Sequence, residues 1–274
     1  MEALFAKLGI QIDIYRTLAV FGLILARMLG AVFQAPFIGG KMVPSRAKIG
    51  TAVVLAIPMY FTIAETVPNL PYMGPMLIIL LLKEGFIGLV LGLVISLVFH
   101  AVDSGGRFLD NARGLGSATL VAPETGASVS LFGQFFFQMT VVIYLIIGGH
   151  RLFIEALYET YTLLPIDQFP NFAPGFTPFT EWIVRATADV LVICVKIVAP
   201  GIIATIITDL VMGITNRVSP QINVFSLSMP IKMLVGALMI FLVLGLIVRS
   251  LDDQLLSFTQ SIKNLIIVWT TLGR

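Results

Sequence analysis

Residues Asp103–Ser130 read DSGGRFLDNARGLGSATLVAPETGASVS and interrupt an apolar chain with charged residues, glycines and one proline, Pro123. A long apolar run, Met76–Val102, precedes this polar insert, and another, Leu131–Gly148, follows it. Both runs are apolar enough for lipid or for a large buried core. Polar, glycine-rich backbone at such a place is tolerated only where it is buried in protein or lines water. The polar insert is therefore the candidate working part of the protein.

The composition is that of a membrane protein. The 274-residue chain is 58% hydrophobic and 12% charged, and its mean hydropathy is +0.99. Soluble domains carry about a quarter charged residues. We predict an all-α, polytopic fold of membrane-type helical hairpins with broken helices. The net charge of +2 says little about nucleic acid, but the sequence shows no interleaved basic and aromatic residues that would suggest a groove for a nucleic-acid strand, so we expect no nucleic-acid partner.

The apolar runs predict one domain over residues 1–274. We expect helices at about 14–38, 49–63, 76–102, 131–148, 182–214 and 224–248, with the polar insert at about 103–130, a connector at 149–181 and an amphipathic tail at 249–274. Pro58, Pro200 and Pro230 lie inside three of these runs and are candidate helix breaks. Within the third run, Gly85, Gly88 and Gly92 place small residues along one helix, which allows a close helix approach.

Several ionisable residues fall within the apolar runs. They are Arg27, Lys83, Glu84, Asp189, Lys196 and Asp209. Each would cost about 2.5–3.5 kcal/mol at a lipid-exposed helix centre, so each should face protein or water. Pairs between helices are the simpler interpretation, and a polar conduit or proton relay is the functional one. Lys83 and Glu84 are neighbours in sequence, point about 100° apart on a helix and should find different partners.

The first half of the polar insert carries charges at helical spacing. Asp103, Arg107 and Asp110 fall at i, i+4 and i+7, and Arg113 follows three residues later. Such a stripe is usually a solvated or paired face, and its place between two apolar runs raises the chance that it lines a passage. We interpret Lys83, Glu84 and these four charges as a polar stripe or as contacts to other subunits.

The second half of the insert predicts a flexible loop that projects into a passage, because its glycines permit backbone shapes that other residues avoid. The candidate loop residues are Gly114, Gly116, Val121, Pro123, Glu124 and Gly126. Just beyond it, Phe135, Phe136, Phe137 and Met139 cover more than one helix face. Packing or lipid contact is the simpler role for them, and an apolar constriction that seals a pore is the functional alternative.

Catalytic and cofactor signatures are absent from the sequence. It contains no HExxH, GxSxG or GxxxxGK[ST] motif, and its one cysteine, Cys194, lies in an apolar run. Neither His100 nor His150 has an obvious catalytic partner. We predict no enzymatic activity, no cofactor and no metal.

Four short motifs resemble the FliR/SctT family of type III secretion export-gate proteins. They are VPSRAKIG (Val43–Gly50), KEGFIGLVLG (Lys83–Gly92), GGH with LFIEAL and LPI (Gly148–Ile166), and RVSPQINVFSLSMPIKMLVG (Arg217–Gly236). The last is the most specific, and its family positions here are Arg217, Pro220, Gln221, Asn223 and Pro230. Order and spacing together make the resemblance strong. DNARG (Asp110–Gly114) resembles the virulence branch, found in injectisomes, more than the flagellar branch.

The resemblance implies a structural and gating subunit of the type III protein secretion export gate in the bacterial inner membrane. One copy would join five copies of a second small membrane protein and four of a third, in a helical cone raised towards the periplasm. Unfolded exported proteins would pass through its channel, and larger export-gate and switch subunits would attach. The family's plug loop corresponds by position to about Gly114–Ser130, with Phe135–Met139 near the closure. Charges such as Lys196 and Asp209 would then be satisfied by partner subunits.

A secondary transporter or channel that acts alone is the main alternative. Helices broken at prolines and charges inside apolar runs would suit it. It also predicts an internal repeat, and the sequence shows none that is strong. An intramembrane enzyme is a weaker alternative, because it needs a nucleophile and a base that the sequence does not place together.

Overall fold

The computed structural model describes residues 14–40, 43–64, 74–113, 130–169, 177–221 and 223–271, and these residues contain helices and no strand. The helices are α1 (Ile14–Gln34), α2 (Pro36–Gly39), α3 (Ser45–Ile63), α4 (Pro75–Ala112), α5 (Leu131–Ile146), α6 (Gly149–Leu163), α7 (Thr177–Val218) and α8 (Val224–Thr271). The predicted all-α fold is thereby confirmed.

Among the described residues, five helices are long and apolar enough to cross a membrane. The candidate spans are Ile14–Gln34, Ser45–Ile63, Pro75–Ala112, Thr180–Val218 and Ser226–Leu255. Helices α5 and α6 together make a sixth candidate, bent by 72°. The bend follows from Gly148, whose φ of 75° lies in the left-handed region that other residues avoid. The polytopic membrane architecture is thus confirmed, and its broken span is the α5–α6 pair.

The three prolines inside the predicted runs do not break their helices. Pro58, Pro200 and Pro230 lie inside α3, α7 and α8, and each helix continues through its proline. A proline removes one backbone hydrogen bond, which neighbouring groups in a membrane helix can compensate. The predicted breaks at these three positions are therefore wrong.

Several predicted boundaries also differ from the structure. Helix α4 runs to Ala112, so the first ten residues of the expected insert are helical. The expected connector begins with helix α6, whose buried residues Phe153, Ala156, Leu157, Thr160 and Tyr161 follow helical spacing. Helix α8 continues to Thr271 through the expected tail. In all three cases the sequence prediction places a helix end at polar residues. A helix can continue through such residues, because an apolar stripe along one side is enough to bury that side.

The chain divides into two compact units. The first consists of Met1–Ser96, His150–Glu181 and Thr259–Arg274, and the second of Leu97–Gly149 and Trp182–Phe258. In the first unit, α1 and the N-terminal half of α4 meet backbone to backbone. A Cβ at Gly88 would collide with the main chain of Arg27, and a Cβ at Gly92 would lie 2.7 Å from the carbonyl oxygen of Ala31. The expected close approach is confirmed at these two glycines.

The second unit packs the C-terminal end of α4 against α5, α7 and α8. Gly105 of α4 faces α7, where an added Cβ would lie 3.1 Å from the carbonyl oxygen of Cys194. Gly201 of α7 makes room in turn for Leu109, and Gly236 of α8 makes room for Arg113. Small residues thus bring three helices around the end of α4, which is where the polar part of the chain begins.

Candidate functional site

The predicted loop residues Gly114, Gly116, Val121, Pro123, Glu124 and Gly126 lie outside the described residues, but both ends of that loop are described. The Ser130 hydroxyl donates a hydrogen bond of 2.6 Å to Asp110 Oδ2. The backbone N–H of Phe132 donates to the same oxygen over 3.0 Å. One carboxylate at the end of α4 therefore ties down the start of α5. We call Asp110, Arg113, Ser130 and Phe132 the insert base.

The start of α5 explains why a carboxylate belongs there. Ser130 is the N-cap residue of α5, and its Oγ accepts a hydrogen bond of 2.9 Å from the N–H of Gly133. The first N–H groups of a helix have no partner within the helix, and the helix dipole favours a negative charge beside them. Asp110 supplies that charge although only 5% of its surface is exposed.

Arg113 ties the same place to α8. Its guanidinium donates to the carbonyl oxygens of Lys232, over 3.3 Å, and of Met233. It also lies over the ring of Phe132, 4.4 Å from the centroid, and 3.9 Å from Asp110 Oδ1. Burial lowers the pKa of Arg113, and the charge of Asp110 works against that shift, so the guanidinium stays protonated. Arg113, the last described residue before the loop of residues 114–129, is thus held on three sides.

Two glycines let the helices meet at the insert base. A Cβ on Gly106 would lie 2.5 Å from the Cα of Gly133, and a Cβ on Gly133 would lie 2.8 Å from Asp103 Oδ1. The backbones of α4 and α5 therefore touch one turn below the hydrogen bonds of Asp110. This crossing, the N-cap and the carboxylate together fix the two ends of residues 114–129 beside each other.

The predicted stripe of four charges is divided. Arg107 is exposed and forms an i,i+4 ion pair with Asp103, with 3.0 Å between Nε and Oδ2. Asp110 and Arg113 are buried and belong to the insert base. Arg107 is thus the exposed member of the stripe, and Asp103 is partly buried beside Gly133.

Lys83 and Glu84 lie far from the insert base in sequence and form a buried ion cluster in the first unit. Arg27 Nε lies 2.5 Å from Glu84 Oε2, and Lys83 Nζ lies 2.8 Å from Glu84 Oε1. Arg27 also donates to Thr160 Oγ1, over 2.9 Å, and to the carbonyl oxygen of Leu164, over 2.8 Å. The prediction that Lys83 and Glu84 find different partners is wrong in part, because the long lysine side chain bends back to its neighbour.

The same cluster holds the turn that follows α6. Lys83 Nζ donates to the carbonyl oxygens of Pro165, Ile166 and Gln168, over 3.3, 3.0 and 2.7 Å. These carbonyls belong to the turn that follows Leu163, the last residue of α6. Arg27 and Glu84 thus form a pair between α1 and α4, as the simpler interpretation predicts, whereas Lys83 pairs with its neighbour on the same helix. The cluster fixes α1, α4 and the end of α6 to one another.

The other three intramembrane charges behave differently. Asp209 and Lys232 form an ion pair between α7 and α8. Asp189 and Lys196, both on α7, are exposed and form no ion pair with another described residue. Two of the six charges thus have no partner in the part of the chain that the structure describes.

The aromatic residues of α5 are also divided. Phe136 is fully buried and packs against Phe132 and Phe135, with ring centroids 5.9 and 5.7 Å away. Phe137 and Met139 are half-buried, and Phe137 packs against Phe99 of α4 at 6.1 Å. Phe135 is 48% exposed. The packing role holds for Phe136, and Phe135 is the member available to a neighbour.

The residues of the most specific family motif lie around the turn from α7 to α8. Arg217, Pro220, Gln221 and Asn223 are exposed, and Pro230 lies on the exposed side of α8. An open polar groove of about 630 Å³ follows this turn, lined by Asp209, Asn216, Pro220, Gln221, Asn223 and Ser228 among others. In the described residues no group of three or more His, Cys, Asp and Glu side chains is placed to hold a metal ion.

Comparison with known proteins gives a consistent picture. The family described as "Bacterial export proteins, family 1" matches residues 18–258. The chain is 30% identical to the flagellar biosynthetic protein FliR of Bacillus subtilis (strain 168) over 247 residues, which cover 90% of this chain and 94% of that protein.

Relatives named for other secretion systems also match. The secretion system apparatus protein SsaT of Salmonella typhimurium is 35% identical over 151 residues, covering 54% of this chain and 56% of that protein. The Yop proteins translocation protein T of Yersinia pestis is 26% identical over 230 residues, covering 83% of this chain and 86% of that protein. The expected resemblance to FliR and SctT proteins is confirmed, with relatives in both branches.

Proposed function

The chain belongs to the bacterial export proteins of family 1, and we propose that it is a structural and gating subunit of the type III protein secretion export gate. Members of this family are export-apparatus components and not enzymes, and the same holds for this chain. In the proposal, the chain helps to form and seal a channel for unfolded proteins across the bacterial inner membrane. The loop of residues 114–129, in the second half of the polar insert, is the plug.

The observation that supports a plug is the geometry of the insert base. Both ends of the sixteen residues 114–129 are held next to each other by Asp110 and Ser130. A loop closed at its base must go out and return, so at about 3.5 Å per residue it reaches at most about 28 Å from the base. Such a loop can enter a neighbouring passage and withdraw without disturbing the helices that carry it.

The physics of the task also fits. A conduit for unfolded chains needs no specific side-chain chemistry, but it must not leak ions while idle. A glycine-rich loop with few core contacts can occupy and leave a lumen at modest cost. In the proposal, Phe135, which is exposed on the first turns of α5, helps to close the passage beside the loop.

The proposal includes two further small membrane proteins as partners in a hetero-oligomer, placed in the inner membrane and raised towards the periplasm. Support comes from the surface of α7 and α8, where large apolar side chains such as Leu210, Phe241 and Leu242 are more than 60% exposed. Exposed apolar surface of this kind marks contact with lipid or protein. The charges Asp189 and Lys196 within the same surface favour protein.

Shortening the insert tests the plug. Deleting residues 117–127 leaves five residues between Arg113 and Ser130, and packed helices are often joined by about two to eight residues. We therefore expect the complete complex to assemble and the membrane to become permeable to ions. A control variant keeps the length but replaces residues 117–127 with glycine and serine, and it should leak less. A deletion variant that assembles, secretes and stays tight would show that this insert is not the plug.

A further inference from the structure

Asp189 and Lys196 lie on the same exposed side of α7. They are seven residues apart, which is about two helical turns, or 10.5 Å along the axis, with directions that differ by about 20°. Neither forms an ion pair with another residue that the structure describes. Buried residues such as Ile193 and Ile197 lie about 40° and 80° around the helix from Asp189, on the side that packs into the second unit.

Apolar side chains lie between these two charges, and the exposed Arg185 lies one turn before Asp189. Val192, one turn after Asp189, is 48% exposed, and Val195 is 60% exposed. All of them fall within the candidate span Thr180–Val218. Contact with lipid would be favourable for the valines but costly for the charges. Contact with water would be favourable for the charges but unfavourable for the valines. A surface of this mixed kind is satisfied by another protein surface with matching charges.

Helix α8 offers a contrast. Its exposed residues Leu238, Phe241, Leu242 and Leu246 form a wholly apolar surface, and no charged residue occurs between Lys232 and Arg249. Lipid or any apolar helix can cover that surface. The surface of α7 is more selective, because a partner must place a basic residue opposite Asp189 and an acidic residue opposite Lys196.

A second copy of this chain does not supply these complementary charges. Two copies inserted in a membrane with the same topology and related by a twofold axis bring the same surfaces together with α7 parallel to its counterpart. Asp189 would then face Asp189, and Lys196 would face Lys196. Like charges opposed in this way repel each other. The complement must come from a different chain.

We propose that this surface of α7, made of Asp189, Val192 and Lys196, binds an apolar helix of another membrane subunit. That helix carries one basic residue opposite Asp189 and one acidic residue opposite Lys196, seven positions apart, with apolar residues between them against Val192. This inference rests on the proposed function, which supplies such subunits, and it adds which surface receives one of them and what sequence pattern that subunit carries.

The first experiment finds the neighbour directly. A photo-crosslinking amino acid is placed at Val192 of the full-length chain, in cells that make the whole export apparatus, and the crosslinked peptide is sequenced by mass spectrometry. The expected peptide comes from a different small membrane protein and has an acidic and a basic residue seven positions apart in an apolar stretch. The same probe at Leu242 of α8 is the matched control, and the peptides that it crosslinks should not need to carry this pair of charges. Crosslinks at Val192 only to lipid, to a second copy or to an uncharged helix would overturn the proposal.

The second experiment tests the charges. The double variant Asp189→Lys, Lys196→Asp keeps the net charge and should leave the stability of the purified chain unchanged, because both side chains are exposed. We expect at least a tenfold loss of the co-purified partner, and recovery when the partner's two charges are exchanged as well. Normal co-purification of every partner with the double variant refutes this inference and leaves the proposed function standing. If the unaltered chain captures no partner at all, the proposed function itself has failed.

Discussion

Removing the Asp110 carboxylate should loosen the base of the polar insert. In Asp110→Ala, the Ser130 hydroxyl and the N–H of Phe132 lose their shared acceptor, and Arg113 loses the negative charge that lies 3.9 Å away. The hydrogen bonds within α4 and α5 stay in place. The change therefore acts on the link between the two ends of the insert more than on the helices that carry them.

The size of the effect follows from those two hydrogen bonds. A hydrogen bond to a charged group contributes about 1.5–3 kcal/mol. Since both bonds end on one oxygen, we take about 3 kcal/mol for the pair, which is roughly a hundredfold change in an equilibrium. An insert base that opens about one part in a thousand of the time would then open about one part in ten.

Ion leakage through the assembled gate measures this opening. Cells that make the complete export apparatus with Asp110→Ala should lose membrane potential, as read by a potential-sensitive dye, while native mass spectrometry shows an unchanged complex. Arg107→Gln is the matched control. It removes an exposed i,i+4 ion pair from the same helix, and such a pair contributes only about 0.3–0.5 kcal/mol. If an assembled Asp110→Ala gate is as tight as the Arg107→Gln gate, the insert base does not control closure.

Three further predictions concern the stability of the purified chain in detergent, measured as a thermal or denaturant midpoint. Gly88→Ala should lower it strongly, because the new Cβ meets the backbone of Arg27, whereas Gly213→Ala, which has open space, should be neutral or slightly stabilising; equal effects would contradict the backbone contact of α1 and α4. Glu84→Gln should cost about 3–5 kcal/mol, since it leaves Arg27 buried without its anion, and the added change Arg27→Leu should recover part of that loss; no recovery would argue against the ion pair. Lys232→Met should cost less than about 1 kcal/mol, because its partner carboxylate is half exposed, and a larger loss would mean that this pair is shielded from solvent.

Much of the helical architecture was accessible from the sequence, because long apolar runs have few other ways to fold. The starts of α5 at Leu131 and of α8 at Val224 agree with the predicted runs. The ends of α4 and α8 were placed too early, since a helix can continue through polar residues when one side still packs. The helical spacing of Phe153, Leu157 and Tyr161 was a readable signal for α6.

The place of the candidate site was also predictable, but its construction was not. A serine just before an apolar run is a recognisable N-cap signal, so Ser130 could have been named. The partner Asp110 could not, because twenty residues separate the two in sequence and nothing local joins them. The contact between Arg113 and the carbonyl of Met233 spans 120 residues. Gly106 and Gly133 were equally hidden, as their role depends on which helices cross.

The lengths of the helices carry a last consequence, for where the chain sits. The candidate span Thr180–Val218 of α7 has 39 residues and a length of about 58 Å. The hydrocarbon layer is about 30 Å thick, and even a tilt of about 40° lets it cover only about 39 Å of helix. About 20 Å of α7 therefore extends beyond the hydrocarbon layer of an ordinary bilayer. The charged residues near the two ends of this span, such as Glu181, Arg185 and Arg217, fit such a position, because headgroups, water or another protein can solvate them there.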